Sequence, residues 1–339
     1  MKRTSRRSLA VLLLPVVTAL LCLAVFEGAA RLVLGPPAVI YFTPAYRDVQ
    51  TDFDVTYKAA PTGNRASCEA NQGKGAPLVV VGDSFAFGQG VEQGRDFTSL
   101  LGCGSGREVL NLGSIGQDFL YYDSAIHQLV PSDSSVIVLL LYENDLPPSG
   151  FSGAAWAVKR ALYRNSHGVL MARRARQEAA KLLHRDDIAA LTVDGRLNNP
   201  KTVAVTNPGF FSELADPPAD RLAELGGAIA RFVAHARRAA PHSRIMVAMA
   251  PEASTVSPGH RDFYLSLASV PLPAFGQRSA IYRAAAEACG RIADCRFMDI
   301  FPDFLKDGPD LYFPHDFHWN AAGHARMADL LGKALAAPR

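Results

Sequence analysis

Net charge is the first thing this sequence has little of: 35 Lys and Arg stand against 32 Asp and Glu, a formal +3 over 339 residues. So small an excess gives no reason to expect a nucleic-acid partner, whose polyanion rewards a concentrated basic surface. Internal repeats and long low-complexity runs are lacking as well, which excludes solenoids and disordered scaffolds. Cysteine is scarce, at five residues, and no two of them stand as Cys-x-x-Cys. Zinc knuckles and thioredoxin-like redox sites therefore have no basis here. What remains is an ordinary globular composition, 49% hydrophobic and 20% charged, long enough for one large domain or two small ones.

One apolar segment stands apart. Lys2, Arg3, Arg6 and Arg7 precede an uncharged run from Ser8 to Phe26. That run is just long enough to cross a bilayer core as a helix, and the basic cluster before it directs the N-terminus to the cytoplasm. Residues 1–7 are expected as a cytoplasmic tail and 8–34 as a single-pass anchor in the cell inner membrane, with the rest periplasmic. The alternative is a cleaved signal peptide, for which Gly28-Ala29-Ala30 offers small residues. The length of the run and its helical continuation through Arg31 to Leu34 favour the anchor. Cys22 lies inside the run; Cys68, Cys103, Cys289 and Cys295 make an even set that an oxidising compartment permits as two disulfides. Proximity favours Cys68–Cys103 and Cys289–Cys295 among three pairings.

Residues 35–75, rich in Pro, Gly and polar side chains, read as a stalk that leaves the membrane and then packs on the domain. From residue 76 to 339 the pattern is that of an α/β domain. Leu78–Val81, Val109–Leu112, Val136–Leu141, Arg244–Met249 and Arg296–Ile300 are apolar runs of buried-strand length. Between and after them lie helical periodicities: Leu222, Leu225, Ile229, Phe232 and Val233, then Met327, Leu330, Leu331 and Leu335 behind Asn320 as N-cap. Such alternation predicts a parallel sheet covered on both faces, with its site at the strands' carboxyl ends. Residues 150–215 are too long for a simple loop and read as an insertion. Trp156 to Arg185 within it is helical and basic, with Lys159, Arg160, Arg164, Arg173, Arg174, Arg176, Lys181 and Arg185 against Glu178 alone. It is either a solvated helix face or a cap or membrane-facing element that contacts anionic lipid or an acidic glycan.

Four polar blocks fall at the ends of these elements. Gly82-Asp83-Ser84-Phe85 follows the first buried strand, Asn111 to Gly116 the second, and Tyr142-Glu143-Asn144-Asp145 the third. His315-Asp316-Phe317-His318-Trp319-Asn320 opens the last helix. A serine at a sharp strand-to-helix turn is exposed at the sheet's edge, where helix N–H groups face a developing oxyanion. An unactivated hydroxyl needs a histidine to take its proton and a carboxylate to orient that histidine. Reading His315, Asp316, His318 and His324 as metal ligands leaves Ser84 and Asn144 without a role.

In block content and order the chain resembles the SGNH (GDSL-like) hydrolase superfamily over roughly residues 76–337. The resemblance implies a three-layer α/β/α, flavodoxin-like fold behind one transmembrane helix, and no cofactor or metal. Carried over, Ser84 is the nucleophile and His318 the general base and acid. Ser84, Gly116 and Asn144 supply the oxyanion hole. Two departures stand out. The common family acid lies three residues before the histidine, which here is His315, so Asp316 is the candidate acid and Asp310 the fallback. Tyr142 replaces a usual glycine and is expected to narrow the pocket. The implied activity is ester hydrolysis on an acylated small molecule or carbohydrate, with O-acyl transfer to a glycan as alternative and non-catalytic glycan binding as a third. No motif names a particular sugar or a protein partner.

Overall fold

The computed structural model of the protein describes residues 4–34, 45–60, 64–183, 192–193, 196–197, 200, 203, 209–267 and 272–337. In chain order its strands are β1 (Ala45–Val49), β2 (Asp54–Lys58), β3 (Leu78–Gly82), β4 (Val109–Gly113), β5 (Val136–Leu141), the two-residue β6 (Thr192–Val193) and β7 (Arg196–Leu197), β8 (Arg244–Met249) and β9 (Cys295–Met298). All five runs expected as buried strands form one parallel sheet, in the order β4-β3-β5-β8-β9. Val79, Val80, Val81 and the whole of Ile137–Leu141 are fully buried, as strands covered on both faces must be.

The chain leaves β3 for β4 on one side and returns to β5 on the other. Right-handed crossovers therefore send the helices Phe97–Ser105 and Phe119–Leu129 to opposite faces. The first packs with the C-terminal helix Ala321–Ala336, and the second with Ala219–Ala239, which also packs on Ala280–Gly290. Leu225, Ile229 and Phe232 supply the buried stripe of the long helix. Asn320 caps the last helix as expected, its Oδ1 accepting N–H from Ala322 at 2.8 Å and Gly323 at 3.1 Å.

A helix over Thr4–Leu34 contains a span, Leu14–Leu32, long and apolar enough to cross a membrane, a length and composition that a signal sequence shares. Beyond it, β1 and β2 form an antiparallel hairpin whose Phe53, Val55 and Tyr57 bury against Phe87. Most of the segment expected as a stalk is thus laid on the domain; residues 35–44 lie outside those described. Of the basic insertion, helices span Ala154–Asn165 and His167–Leu183, while Arg185 and the side chains of Arg173, Arg174, Glu178 and Lys181 lie outside those described.

Both favoured disulfides form, Cys68–Cys103 and Cys289–Cys295, closing sequence separations of 35 and 6. In the chain-entropy model they stabilise by about 4 and about 2 kcal/mol. Replacing Cys68 and Cys103 together by serine is therefore expected to lower the urea midpoint of the full chain far more than replacing Cys289 and Cys295. Equal midpoints for the two double variants would contradict this ranking.

Candidate active site

Ser84 opens a four-residue helical turn, Ser84–Phe87, at the carboxyl end of β3. Two glycines let that turn lie directly on the neighbouring strands. A Cβ on Gly82 would stand 2.2 Å from the Leu140 carbonyl oxygen, and one on Gly113 would stand 2.2 Å from the Phe87 nitrogen. Asp83 caps the turn by accepting the Phe85 N–H at 2.9 Å. Below it, Arg65 is wholly buried and donates to the carbonyls of Phe87, Gly88, Val91 and Glu92, while its Nε lies 3.4 Å from Asp96. One guanidinium thereby satisfies the carbonyls of a loop that has no regular structure of its own.

The histidine block arrives from the other end of the sequence. His318 Nε2 lies 2.7 Å from Ser84 Oγ, and its Nδ1 lies 2.6 Å from Asp316 Oδ1. That same carboxylate oxygen accepts the His318 backbone N–H at 2.8 Å, so the block closes on itself as an Asx-type turn. A bridge between Tyr312 and Trp319 and a bond from Phe313 N–H to the His318 carbonyl seal the base of the turn. Ser84, Asp316 and His318 are all buried, at 5%, 2% and 3% exposure, so the hydrogen bonds between them act with little solvent screening. The imidazole is held between Phe85 and Phe317, ring centroids 5.0 and 4.6 Å away.

The competing positions go elsewhere. His315 is turned outward, its backbone N–H donating to Asp52 at 2.6 Å and its Nδ1 lying 2.9 Å from the same carboxylate. Asp310 is exposed on a short turn, with its carbonyl taken by Asn320. His324 stacks on Phe97 and meets Trp319 edge-on, and burial pushes its pKa down to about 3. Of the four residues of the metal reading, Asp316 and His318 stay together, while His315 and His324 lie in separate environments. Among the described residues no group of three or more His, Cys, Asp or Glu is arranged to hold a metal ion. Tyr142, expected to narrow the pocket, is buried, packed on Phe85 and stacked with Phe317, so its ring becomes part of the wall behind His318.

Strand order explains how Gly116 and Asn144 relate to Ser84. Gly82 is paired with Gly113 of β4 on one side and Leu140 of β5 on the other. The loops after those strands, carrying Gly116 and Asn144, therefore flank the serine at the topological switch point. Both residues are exposed, and Gly116 adopts φ +68°, a left-handed turn that side chains resist. Asn144 bonds its side-chain amide to Asp83, whose carboxyl burial pushes up to about 6. Asp145 beside it is pushed well above the usual carboxylate range by burial and by Asp83, and it accepts Tyr122 O–H at 2.6 Å and Tyr142 N–H at 2.9 Å.

Two residues near the site carry no motif. Asp48, from β1, is buried and accepts amide protons from Gln50 at 3.0 Å and Gln89 at 2.9 Å. Burial raises its pKa, and the hydrogen bonds from Gln50 and Gln89 oppose that rise. Arg65 is the other. Neither is legible in sequence, because apart from Gln50 the partners are either backbone or distant along the chain.

No family model matches the chain, and no curated protein sequence does. Solved structures resemble it distantly. Phospholipase A1 from Streptomyces albidoflavus NA297 is 12% identical at a TM-score of 0.44, covering 78% of this chain and 100% of its own. An extracellular lipase from Streptomyces rimosus is 13% identical at 0.42, covering 76% and 99%. A carbohydrate esterase family 2 enzyme from Corynascus thermopiles (Myceliophthora fergusii) is 14% identical at 0.42, covering 80% and 68%. With its five-stranded parallel sheet in the order β4-β3-β5-β8-β9 and helices packed on both faces, the chain has a three-layer α/β/α fold.

Proposed function

We propose that the protein is a serine esterase that removes O-acyl groups, acetyl foremost, from an exported or cell-surface carbohydrate. The observation that carries this reading is the continuous relay Ser84 Oγ, His318 Nε2, His318 Nδ1, Asp316 Oδ1, with links of 2.7 and 2.6 Å. His318 takes the hydroxyl proton as the Ser84 oxygen attacks the ester carbonyl carbon, and Asp316 stabilises the imidazolium that results. The carbonyl oxygen becomes an oxyanion. Its donors are the Ser84 N–H, at a helix start where such groups lack an intrahelical acceptor, the Gly116 N–H and the Asn144 amide. His318 then returns the proton to the departing alcohol, and water repeats the sequence to free the acid. Passing the acyl group to a sugar hydroxyl instead of water uses the same groups.

The N-terminal helix is read as a retained inner-membrane anchor with its N-terminus in the cytoplasm. On this reading the catalytic domain is periplasmic, in keeping with its two disulfides. Assay of the purified chain on acetylated chromogenic esters, with and without an oligosaccharide acceptor, tests the activity. Free acetate means esterase and acetylated sugar means transferase; neither product refutes both. Asn144→Ala is expected to lower kcat by ~10²–10³, the typical effect of one oxyanion donor. Labelling of Ser84 by an organophosphonate should persist at a reduced rate. Unchanged kinetics would remove Asn144 from the oxyanion hole.

A further inference from the structure

Helix Ala154–Asn165 is inverted relative to an ordinary surface helix. Its arginines turn inward: Arg160 is half-buried, donates to the Phe151 carbonyl and lies 5.0 Å over that ring, and Arg164 is half-buried too. Tyr163 is buried between them and donates to Gln117 Oε1 at 3.1 Å. Outward face Ala154, Ala155, Ala157, Val158, Ala161 and Leu162, all exposed, with Val158 at 61% and Leu162 at 50%. Lys159, at the rim, folds back so that its ammonium lies 3.8 Å from the Trp156 ring centroid. A solvated helix directs its charges to water and its apolar stripe to the core. A contiguous apolar face left outward marks an interaction surface.

What adjoins this face identifies its occupant. The last turns of the N-terminal helix dock on the junction between this helix and the next. Arg31 Nη2 donates to the Asn165 carbonyl at 3.0 Å. Glu27 accepts from Ser166 Oγ at 2.6 Å, from His167 N–H at 3.1 Å and from Gly168 N–H at 2.9 Å, which makes it the cap of helix His167–Leu183. Ala30 is completely buried, and a Cβ on Gly168 would meet the Phe26 ring at 2.9 Å. At about 1.5 Å per residue, the run from Ser8 to Phe26 reaches roughly across a ~30 Å hydrocarbon core. Glu27 and Arg31 then stand at its outer boundary, and helix Ala154–Asn165 ends at that level, at Asn165.

We propose that helix Ala154–Asn165 lies on the outer surface of the bilayer, with its face around Val158 and Leu162 sunk into the head-group and acyl boundary. This rests on the reading of Thr4–Leu34 as a membrane-spanning anchor. The bilayer covers the outward apolar face, as it covers the exposed Leu20, Leu23 and Phe26 of the anchor. Since Tyr163 on the same helix holds Gln117, next to Gly116, the loop beside Ser84 is held close to the membrane. The anchor is then a docked part of the fold rather than a loose tether.

The sequence holds two tryptophans, of which Trp319 is completely buried, so a reporter is easily isolated. The full chain carrying Trp156→Phe and Leu162→Trp is reconstituted into phosphatidylcholine–phosphatidylglycerol nanodiscs, with or without bromine on the acyl chains. The expected result is blue-shifted emission from position 162 that falls by roughly half or more with brominated lipid. Trp156→Phe alone should show no such quenching. Adding Glu27→Ala to the reporter chain should abolish the quenching while alkaline extraction still leaves the chain in the membrane. An unquenched indole at 162 in a chain that resists alkaline extraction overturns the proposal. A chain that alkali extracts overturns the spanning reading, and the proposal with it.

Discussion

Replacing Ser84 by alanine is expected to lower kcat by ~10⁴–10⁶, about 5–8 kcal/mol of barrier, while the protein stays folded. The fold should tolerate the change because Ser84 Oγ contacts only groups of the site: His318 Nε2 at 2.7 Å and, more loosely, Asp83 at 3.5 Å. The cap of its helical turn comes from Asp83 and survives. The groups of a triad lose their effect as a unit. The residue of catalysis expected to persist comes from binding and the oxyanion donors. Circular dichroism and the urea midpoint should match those of the unaltered chain, and phosphonate labelling should vanish. Turnover above a few per cent in the alanine variant would end the assignment of Ser84.

The second large effect concerns the acid. Asp316→Asn should reduce kcat by up to ~10⁴, because an amide at this position presents the wrong hydrogen-bond partner to His318 Nδ1 and favours the wrong tautomer. His315→Ala should cost far less. Its side chain is 54% exposed and pairs with Asp52, away from the serine, so truncating it removes no group from the relay. The backbone bond from His315 N–H to Asp52 remains in that variant, so the turn should keep its shape. Steady-state kinetics of the two variants on the same acetyl ester decides between them. A larger loss at His315 than at Asp316 would show that another carboxylate orients His318 during turnover.

Several features were legible in the residues alone, for local reasons. A strand buried on both faces must be apolar throughout, so Leu78–Val81 and Val136–Leu141 announce themselves without any partner in view. Polar blocks interrupting such runs fall at strand ends, and in a parallel sheet all those ends lie on one edge. That is why the blocks around Ser84, Gly116 and Asn144 could be grouped from distant stretches, while the resemblance to the SGNH superfamily supplied the individual roles and that of His318. The cap at Asn320 and the two cysteine pairings depend on short separations and were equally readable.

Only the tertiary structure decided the rest, because those choices depend on what lies across from a residue. Whether Asp316 or Asp310 meets the imidazole turns on a tight turn closed by Phe313 and Trp319, and spacing alone leaves both open. Arg65 reads as an isolated cation in a polar stretch, yet it holds the loop that follows Ser84. Asp48 likewise gains its place only once β1 is laid beside the site. The basic helix shows the limit most clearly. Composition counts its arginines, but only the neighbour at Phe151 decides that Arg160 points inward and leaves Val158 and Leu162 outside. Periodicity specifies a helix and its faces; which face is covered is a property of the surroundings, and those are assembled by the fold.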